Sequence, residues 1–407
     1  MPYAAAPFGP HRFAAPVPVE PWAGVRDALE FGPTAPGAGL APISMSIYPD
    51  PAIPGEDCLN LNVWTPDVTD RLPVLVWFAG GANVLGSSAQ PVFDGTGFAR
   101  NGVVFVSVNH RLGVEGFAHL PDAPSNRAVL DQLAALRWVR DNIANFGGDP
   151  KAVTIAGVSS GAGAVLTLLS LDTGLFRGAV IQSGSLSVGH TAADAALVTA
   201  EVARRAGVAP TAAALREIEP GRLAEIALAV TTDLQANPDP AVWGAGTIGS
   251  GLAFAPVIDG ELITAPPARR VLDGASRQVD VLVGFTSDEL LRLLPSDVPA
   301  EVVTALTDQI FREPAYAFAR ERRGTYLYEF AWRSPLPGVG AAHGLDVGFV
   351  FDTLGNSTLE GDAPPQGLAE AMHRAWLTFV RLGRPGWSAF PQLMRFDTKP
   401  RTETAGS

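Results

Sequence analysis

Short apolar runs separated by amphipathic stretches are the main pattern in the first half of the chain. Residues 74–78 (VLVWF) and 103–108 (VVFVSV) are almost wholly apolar, which is typical of strands buried on both faces of a sheet. Residues 131–145 show helical periodicity, and the glycines and proline of 146–150 (FGGDP) break that helix. A third apolar run, 152–156 (AVTIA), predicts a strand directly after the break.

The same alternation continues through the rest of the chain. Further strands are predicted at 179–182, 281–284 and 326–330, and the alanine-rich stretch 191–235 is predicted to be helical. Alternating strands and helices predict a largely parallel sheet covered by helices on both faces. Since no internal repeat or long linker is present, we expect a single domain over residues 1–407, with 191–235 as helices packed over one end of the sheet.

Composition excludes several classes of function. The chain has 407 residues, of which 47% are hydrophobic and 17% charged, as expected for a globular protein with a large core. The formal net charge of −12 argues against a nucleic-acid or anionic-membrane partner. The only cysteine is Cys58, so neither an intramolecular disulfide nor a thiolate zinc site can form. The six histidines lack H-x-x-x-H spacing, and we therefore predict no metal and no other cofactor.

The N-terminal residues show no signal-peptide pattern. Residues 1–7 (MPYAAAP) contain no basic stretch followed by an apolar run. No segment of the sequence is long and apolar enough to cross a bilayer. We therefore expect a cytoplasmic protein.

The only G-x-S-x-G motif of the chain lies at 157–161 (GVSSG), between the predicted strand 152–156 and an apolar helical stretch. A strand that turns sharply into a helix needs glycine on both sides of the apex, because a Cβ there would strike the neighbouring backbone. Ser159 at the apex would be held in a strained conformation with its hydroxyl exposed above the sheet, as a nucleophile requires. The alternative is an ordinary glycine-rich turn.

A serine nucleophile needs a histidine base held by a carboxylate, and on this kind of sheet the order along the chain is serine, acid, histidine. Three histidines follow the motif. His373 falls in an amphipathic helix and is expected to be a surface or packing residue, and His190 follows a strand with too little chain before it for an acid. His343, in the loop 340–344 (GAAHG), is the predicted base, with a solvent-facing loop histidine as the alternative.

Two carboxylates, Asp288 and Glu289, follow the predicted strand 281–284 at the edge where ligands meet open α/β sheets. Their spacing alone does not choose between them, and either could be an ordinary turn residue. Backbone N–H groups for a developing oxyanion are predicted in the loop 79–83 (AGGAN), and Ser160 after the nucleophile supplies another. Residues 244–249 fit G-x-G-x-x-G, but no strand precedes them and no clear helix follows, so no dinucleotide site is predicted.

Five stretches together resemble the type-B carboxylesterase family, and in particular its bacterial para-nitrobenzyl-esterase-like members. They are 56–66 (EDCLNLNVWTP), which matches a family signature, 109–113 (NHRLG), 130–150, 253–260 (AFAPVIDG) and 343–351 (HGLDVGFVF). The resemblance implies an α/β-hydrolase fold and a serine carboxylic-ester hydrolase that acts through an acyl-enzyme on a small-molecule ester. A non-catalytic binding member of the same fold, or an amide or thioester hydrolase with the same triad, are the alternatives. We expect a monomer.

The resemblance also assigns roles to individual residues. It makes Ser159 the nucleophile, Glu289 rather than Asp288 the acid, and His343 the base. The backbone N–H groups of the oxyanion hole would belong to Gly81, Ala82 and Ser160.

Three further residues take supporting roles by the same resemblance. Ser183 matches a serine near the triad, and Arg12 and Glu56 match a structural ion pair.

The chain also departs from the family pattern. Val158 stands where the family commonly has a glutamate beside the histidine. Ala79 stands where histidine or tyrosine is usual, and Ala82 where a third glycine is usual. The N-terminal residues 2–4 (PYA) resemble a segment that normally follows a β-hairpin, which suggests a shortened N-terminus. The predicted acid and base, Glu289 and His343, are only 54 positions apart, which predicts a shortened wall around the active-site cleft.

Overall fold

The structure is a computed structural model that describes residues 1–40 and 47–405. The strands of these residues, in chain order, are β1 Pro36–Gly39, β2 Leu61–Trp64, β3 Leu72–Phe78, β4 Val104–Val108, β5 Gly148–Val158, β6 Gly178–Gln182, β7 His190–Thr191, β8 Val257–Ile258, β9 Asp280–Thr286, β10 Tyr326–Phe330, β11 Gln392–Phe396 and β12 Arg401–Thr404. Nine of them form one sheet in the order β12-β11-β10-β9-β6-β5-β3-β4-β2, and β7 pairs with β8.

Helices connect most of these strands. In the described residues they are α1 Thr96–Arg100, α2 Gly113–Phe117, α3 Arg127–Asn142, α4 Ser160–Ser170, α5 Ala192–Ala206, α6 Ala212–Leu215, α7 Pro220–Ala236, α8 Pro240–Trp243, α9 Ala245–Ser250, α10 Pro267–Leu272, α11 Ala300–Thr307, α12 Glu313–Glu321, α13 Val347–Phe351 and α14 Gln366–Leu382. A π-helical turn, Asp308–Arg312, joins α11 to α12.

The centre of the large sheet is parallel, from β4 through β3, β5, β6, β9 and β10 to β11. Its two edges, β2 and β12, pair antiparallel with their neighbours. The predicted strands and the largely parallel sheet are therefore confirmed, although β5 begins at Gly148, four residues before the predicted 152–156. The predicted helix 131–145 is α3, which begins earlier, at Arg127.

Both faces of the sheet are buried, as the continuous apolar runs predicted. Alternate residues of β3 enter different hydrophobic clusters: Val74 and Val76 pack with residues of α3 and α4, while Leu75 and Trp77 pack with residues of α13 and α14. Because successive side chains of a strand point to opposite faces, the two clusters are the two sides of the sheet.

The predicted helical stretch 191–235 forms α5, α6 and α7. The Thr191 side chain accepts the N–H of Asp194 at the start of α5, and Gly207 ends that helix in the left-handed conformation. Residues of α5 and α7 pack in a third apolar cluster with Val84, which lies in the loop after β3. These helices therefore cover the end of the sheet at which its parallel strands terminate. A single domain over residues 1–407 stays a prediction.

One sequence interpretation is corrected by the fold. Arg12 does not pair with Glu56, which is exposed; it binds Glu115 at 2.6 Å, with both side chains buried. Arg12 also donates to the carbonyl groups of Arg216 and Ile218, so it anchors the start of the chain to the segment between α6 and α7. The G-x-G-x-x-G stretch 244–249 follows helix α8, not a strand, and lies largely in helix α9.

In the part of the chain that the structure describes, no helix is long and apolar enough to cross a membrane.

Candidate active site

The strand–turn–helix motif predicted around Ser159 is formed by β5 and α4. Ser159 has φ +58° and ψ −124°, and its N–H donates to the carbonyl of Gln182 on the neighbouring strand at 2.9 Å. A Cβ on Gly161 would lie 2.2 Å from the carbonyl oxygen of Phe78, so only glycine allows the helix to start this close to β3. The half-buried Ser159 is thus held at the apex of a strained turn at the carboxyl end of β5.

The glycine-containing loop after β3 lies directly against this turn. A Cβ on Gly80 would be 3.0 Å from the Cβ of Ser159 and 2.8 Å from the carbonyl oxygen of Val158. Gly81, at φ +130°, accepts the N–H groups of Val84 and Leu85 with its carbonyl. The loop that was predicted to supply oxyanion donors therefore lies beside the predicted nucleophile.

The predicted oxyanion donors are available in this arrangement. Across residues 1–40 and 47–405, the N–H groups of Gly81 and Ala82 donate no hydrogen bond. Ser160 is the first residue of α4, where N–H groups have no partner within the helix. Three N–H groups from two segments thus remain free to bind an anion.

The two predicted partners of the nucleophile, Glu289 and His343, lie in contact. Nδ1 of His343 is 2.5 Å from Oε2 of Glu289. The Glu289 side chain is fully buried, and its other oxygen accepts the N–H of Thr286 at 2.8 Å. Phe311, on the π-helical turn, packs its ring 5.9 Å from the imidazole.

The electrostatics of this pair favour a charged imidazole. Burial opposes protonation of His343, but the charge of Glu289 and its hydrogen bond, with a contribution from Asp346, raise the pKa of His343 above its usual value. A buried carboxylate that binds Nδ1–H also fixes the tautomer and leaves Nε2 free to accept a proton.

The two adjacent carboxylates have different partners. Asp288 Oδ2 accepts the N–H of Ala341 at 2.8 Å and pairs with Arg333 at 3.0 Å, while its own N–H donates to the Ala341 carbonyl at 3.1 Å. Asp288 therefore binds the backbone of the loop that carries His343, and Glu289 binds the imidazole. Spacing in the sequence did not choose between the two.

Ser159 and His343 lie at the end of the sheet where the parallel strands terminate, but no hydrogen bond joins them directly. β5, β6 and β9 are neighbours, and Glu289 follows the end of β9 as Ser159 follows the end of β5. Within the described residues, the Ser159 hydroxyl makes no hydrogen bond with the imidazole. Hydrogen bonds of a catalytic group are often long in a free enzyme and shorten when substrate binds.

The other two candidate histidines have structural partners. His190 lies in the short strand β7, not in a loop as expected, and its Nε2 is 3.0 Å from the Ser250 hydroxyl. Burial lowers the pKa of His190 to about 4. His373 is buried on α14, where Nδ1 lies 2.8 Å from the Val350 carbonyl oxygen, so it is the packing residue that its amphipathic helix predicted.

The residues flanking the turn are buried. Val158 is 6% exposed, and its Cγ1 would lie 3.3 Å from a Cβ on Gly80. Ser183 has φ +51° and donates its N–H to the Gly284 carbonyl at 2.8 Å. Its hydroxyl makes no hydrogen bond within the described residues. Val158 is the last residue of β5 and Ser183 directly follows β6, so both lie at the carboxyl ends of strands that flank the candidate site.

The sequence interpretation missed one acid. Asp346 is fully buried, and the Tyr328 hydroxyl lies 3.1 Å from its Oδ2. Burial raises the pKa of Asp346 to about 6, and the nearby charge of Glu289 adds to the increase. The available signal was its position three residues after His343, directly before α13.

No group of three or more histidine, cysteine, aspartate or glutamate side chains is arranged to hold a metal ion among residues 1–40 and 47–405.

The parallel sheet, the strained serine between β5 and α4, and the late histidine bound to an acid define an α/β-hydrolase. The model of the carboxylesterase family matches residues 1–304. The protein therefore belongs to the carboxylesterase family, and it is a serine hydrolase that acts on carboxylic ester bonds.

Known proteins of this family align with nearly the whole chain. Para-nitrobenzyl esterase of Bacillus subtilis (strain 168) is 32% identical over 437 residues, which cover 96% of this chain and 86% of that protein. Fumonisin B1 esterase of Sphingopyxis macrogoltabida is 32% identical over 469 residues, covering 100% of this chain and 82% of that protein.

Solved structures of esterases superpose on the whole chain. A para-nitrobenzyl esterase structure superposes with a TM-score of 0.88 at 29% identity, covering 100% of this chain and 93% of that one. The carboxylesterase of Geobacillus stearothermophilus gives a TM-score of 0.81 at 32% identity, with the same coverage. The fold predicted from the sequence is thereby confirmed.

Proposed function

We propose that this carboxylesterase cleaves its esters with Ser159 as nucleophile, His343 as general base and acid, and Glu289 as the acid that orients the imidazole. The observation that carries the proposal is the 2.5 Å contact between Glu289 and Nδ1 of His343. It lies at the carboxyl ends of the parallel strands, as does the strained turn of Ser159. An isolated serine hydroxyl is a poor nucleophile near neutral pH, and this arrangement supplies the base that it lacks.

In the first half of the reaction, Oγ of Ser159 attacks the ester carbonyl carbon while its proton passes to Nε2 of His343. Glu289 stabilises the imidazolium that forms but does not take the proton itself. The tetrahedral intermediate then expels the alcohol, which receives the proton from the imidazolium. The acyl group remains on the serine oxygen.

The second half repeats these steps with water. His343 removes a proton from a water molecule as the water oxygen attacks the acyl carbon. When the second tetrahedral intermediate collapses, Ser159 recovers its proton from the imidazolium and the carboxylic acid is released. Each turnover therefore leaves the enzyme in its starting protonation state.

The negative oxygen of both tetrahedral intermediates would be bound by the N–H groups of Gly81, Ala82 and Ser160. Their lack of partners in the described part of the chain supports this assignment. N–H groups fixed before the reaction stabilise charge that develops in the transition state without further reorganisation.

We propose a small-molecule carboxylic ester as the substrate, in line with the names of two relatives, para-nitrobenzyl esterase and fumonisin B1 esterase. No observation favours a non-catalytic binding role, since all three triad positions carry functional side chains. A monomeric state and a cytoplasmic location stay predictions of the sequence.

A serine-directed organophosphate and a panel of chromogenic esters test the proposal. We expect hydrolysis of short-acyl esters by the purified protein, with one adduct per chain on Ser159. Ser159→Ala is expected to reduce kcat by ~10³-fold or more. An adduct on another residue, or an active protein that forms none, would contradict the assignment. Amides and thioesters in the same panel separate the ester hydrolase from its chemical alternatives.

A further inference from the structure

The loop that carries two of the proposed oxyanion donors has an unusual backbone. Two consecutive residues that are not glycine, Ala82 and Asn83, have φ of +52° and +61°. This left-handed conformation is unfavourable for alanine, whereas asparagine adopts it several times more often than most residues. Such a conformation persists only where surrounding contacts fix it.

Asn83 makes three contacts that can fix the loop, each to a different segment. Its side-chain Nδ2 donates to the Phe254 carbonyl at 2.8 Å, just before β8. Its carbonyl accepts the N–H of Gly113 at 2.6 Å, at the start of α2. Its N–H donates to the hydroxyl of Ser160 at 3.2 Å. The side chain is 6% exposed, so water does not compete freely for these bonds.

The contact with Ser160 connects the two halves of the proposed oxyanion hole. Ser160 would contribute its own backbone N–H to the hole, while its hydroxyl binds the N–H of the residue directly after Ala82. One hydrogen bond therefore sets the distance between donors that come from separate segments, the loop after β3 and the first turn of α4.

We propose that Asn83 and the hydroxyl of Ser160 are positioning residues for the oxyanion hole. The inference rests on the proposed function, because the hole acts only if Ser159 is the nucleophile. Neither side chain would touch the substrate. The amide of Asn83 holds the strained loop against the segment before β8, and the hydroxyl of Ser160 aligns that loop with α4.

The chain contains a matched control for a purely structural role. Asn126 is also buried and left-handed, with φ +59°, and its side chain donates to the Val257 carbonyl at 2.8 Å and accepts the Val257 N–H at 2.7 Å. It therefore anchors the same segment as Asn83 does, but from the start of α3 and not from the oxyanion loop. Ser170, at the other end of α4, is the corresponding control for Ser160, since among the described residues its buried hydroxyl bonds the Thr167 carbonyl alone.

The experiment compares Asn83→Gly with Asn126→Gly, because glycine keeps the left-handed backbone and removes only the amide. For each folded variant we would measure kcat and KM with a short-acyl ester. We would also measure the inhibition constant of a trifluoromethyl ketone, whose carbon is attacked by the serine oxygen and whose anionic oxygen would then occupy the hole. The melting temperature reports the structural effect of each substitution.

We expect Asn83→Gly to lower kcat about tenfold or more while KM changes by less than about threefold, because misplaced donors weaken binding of the transition state more than of the substrate. The inhibition constant of the ketone is expected to rise by about the same factor. Asn126→Gly is expected to lower the melting temperature and leave kcat and the inhibition constant unchanged.

Ser160 provides a second test that does not depend on the folding of the Asn83 variant. Ser160→Ala keeps the backbone N–H and loses the hydroxyl, and we expect kcat to fall about threefold to tenfold. Ser160→Thr, which keeps a hydroxyl, should restore most of that loss, and Ser170→Ala should leave kcat unchanged.

The inference is overturned if Ser160→Ala and any folded Asn83→Gly protein match their controls in kcat and in ketone affinity. Failure of the proposed function gives a different result. In that case the wild-type protein would hydrolyse no ester, or the organophosphate adduct would lie outside Ser159, before any of these variants is measured.

Discussion

Oε2 of Glu289 lies 2.5 Å from Nδ1 of His343, and the carboxylate in this pair is fully buried. The adjacent carboxylate of Asp288 binds the loop backbone instead. Replacing Glu289 with Gln removes the charge that stabilises an imidazolium and changes the tautomer, so we expect kcat to fall by ~10²–10⁴-fold. Asp288→Asn keeps an oxygen that can accept the N–H of Ala341 and should cost less than about tenfold. Steady-state kinetics of both variants test this ranking, and the reverse ranking would assign the role of the acid to Asp288.

His343→Ala is expected to reduce kcat nearly as much as the serine substitution, because the two residues act as one unit. His190→Ala and His373→Ala are matched controls, since both imidazoles are buried and form hydrogen bonds outside the candidate site. These controls should lose stability and keep most of the activity per folded molecule. Loss of hydrolysis in a folded control, with activity retained by His343→Ala, would show that the base has been assigned wrongly.

A negative charge next to the nucleophile should change the pH profile. His343 must be neutral to accept a proton, and its pKa is already raised by Glu289 against the opposing effect of burial. Val158→Glu would stabilise the imidazolium further, so the acidic limb of kcat/KM should move to higher pH. The neutral variant Val158→Gln controls for size. If the limb of an active Val158→Glu enzyme does not move, position 158 does not interact with the imidazole.

The buried Asp346 predicts a pH-dependent stability. Its pKa in the folded protein is raised from 3.8 to about 6, so the folded state retains a proton that the unfolded state has lost over this interval. The stability contributed by this group is present below about pH 4 and is lost as pH rises through about 6. Asp346→Asn should therefore gain stability relative to the wild type as pH rises, by on the order of 2–3 kcal/mol at neutral pH.

Urea unfolding at about pH 4.5 and pH 7.5 measures this difference. The Asn oxygen can still accept the hydroxyl of Tyr328, which limits the structural cost of the substitution. A stability difference between the two proteins that is constant with pH would show that Asp346 titrates normally.

The sequence was sufficient to predict those parts of the site that neighbouring residues of the chain form. The turn at Ser159 was predictable because its glycines, strand and helix are contiguous, and steric contact with Phe78 explains them. The histidine was predictable from chain order and loop position. From the residues alone, Asp288 and Glu289 were indistinguishable, because the direction of each side chain depends on how the turn after β9 meets the loop 340–343.

Contacts between distant residues could not be predicted in this way. The bond between Asn83 and Phe254 joins positions 171 apart, and that between Asn83 and Ser160 joins positions 77 apart. The ion pair of Arg12 with Glu115 spans 103 positions, and the resemblance to known proteins suggested the wrong partner. Hydrophobic periodicity carries no information about which polar groups meet across the core, so these contacts required the structure.

The attachment of Asp288 to Ala341 has a consequence for changes in chain length. The turn after β9 holds both the imidazole of His343, through Glu289, and the backbone of its loop, through two hydrogen bonds to Ala341. The ends of the intervening chain are therefore joined at the site itself. Between these ends, the π-helical turn that joins α11 to α12 packs Phe311 against the imidazole as well. A change of length in residues 290–340 is therefore expected to leave acid and base paired where it spares the turn that carries Phe311.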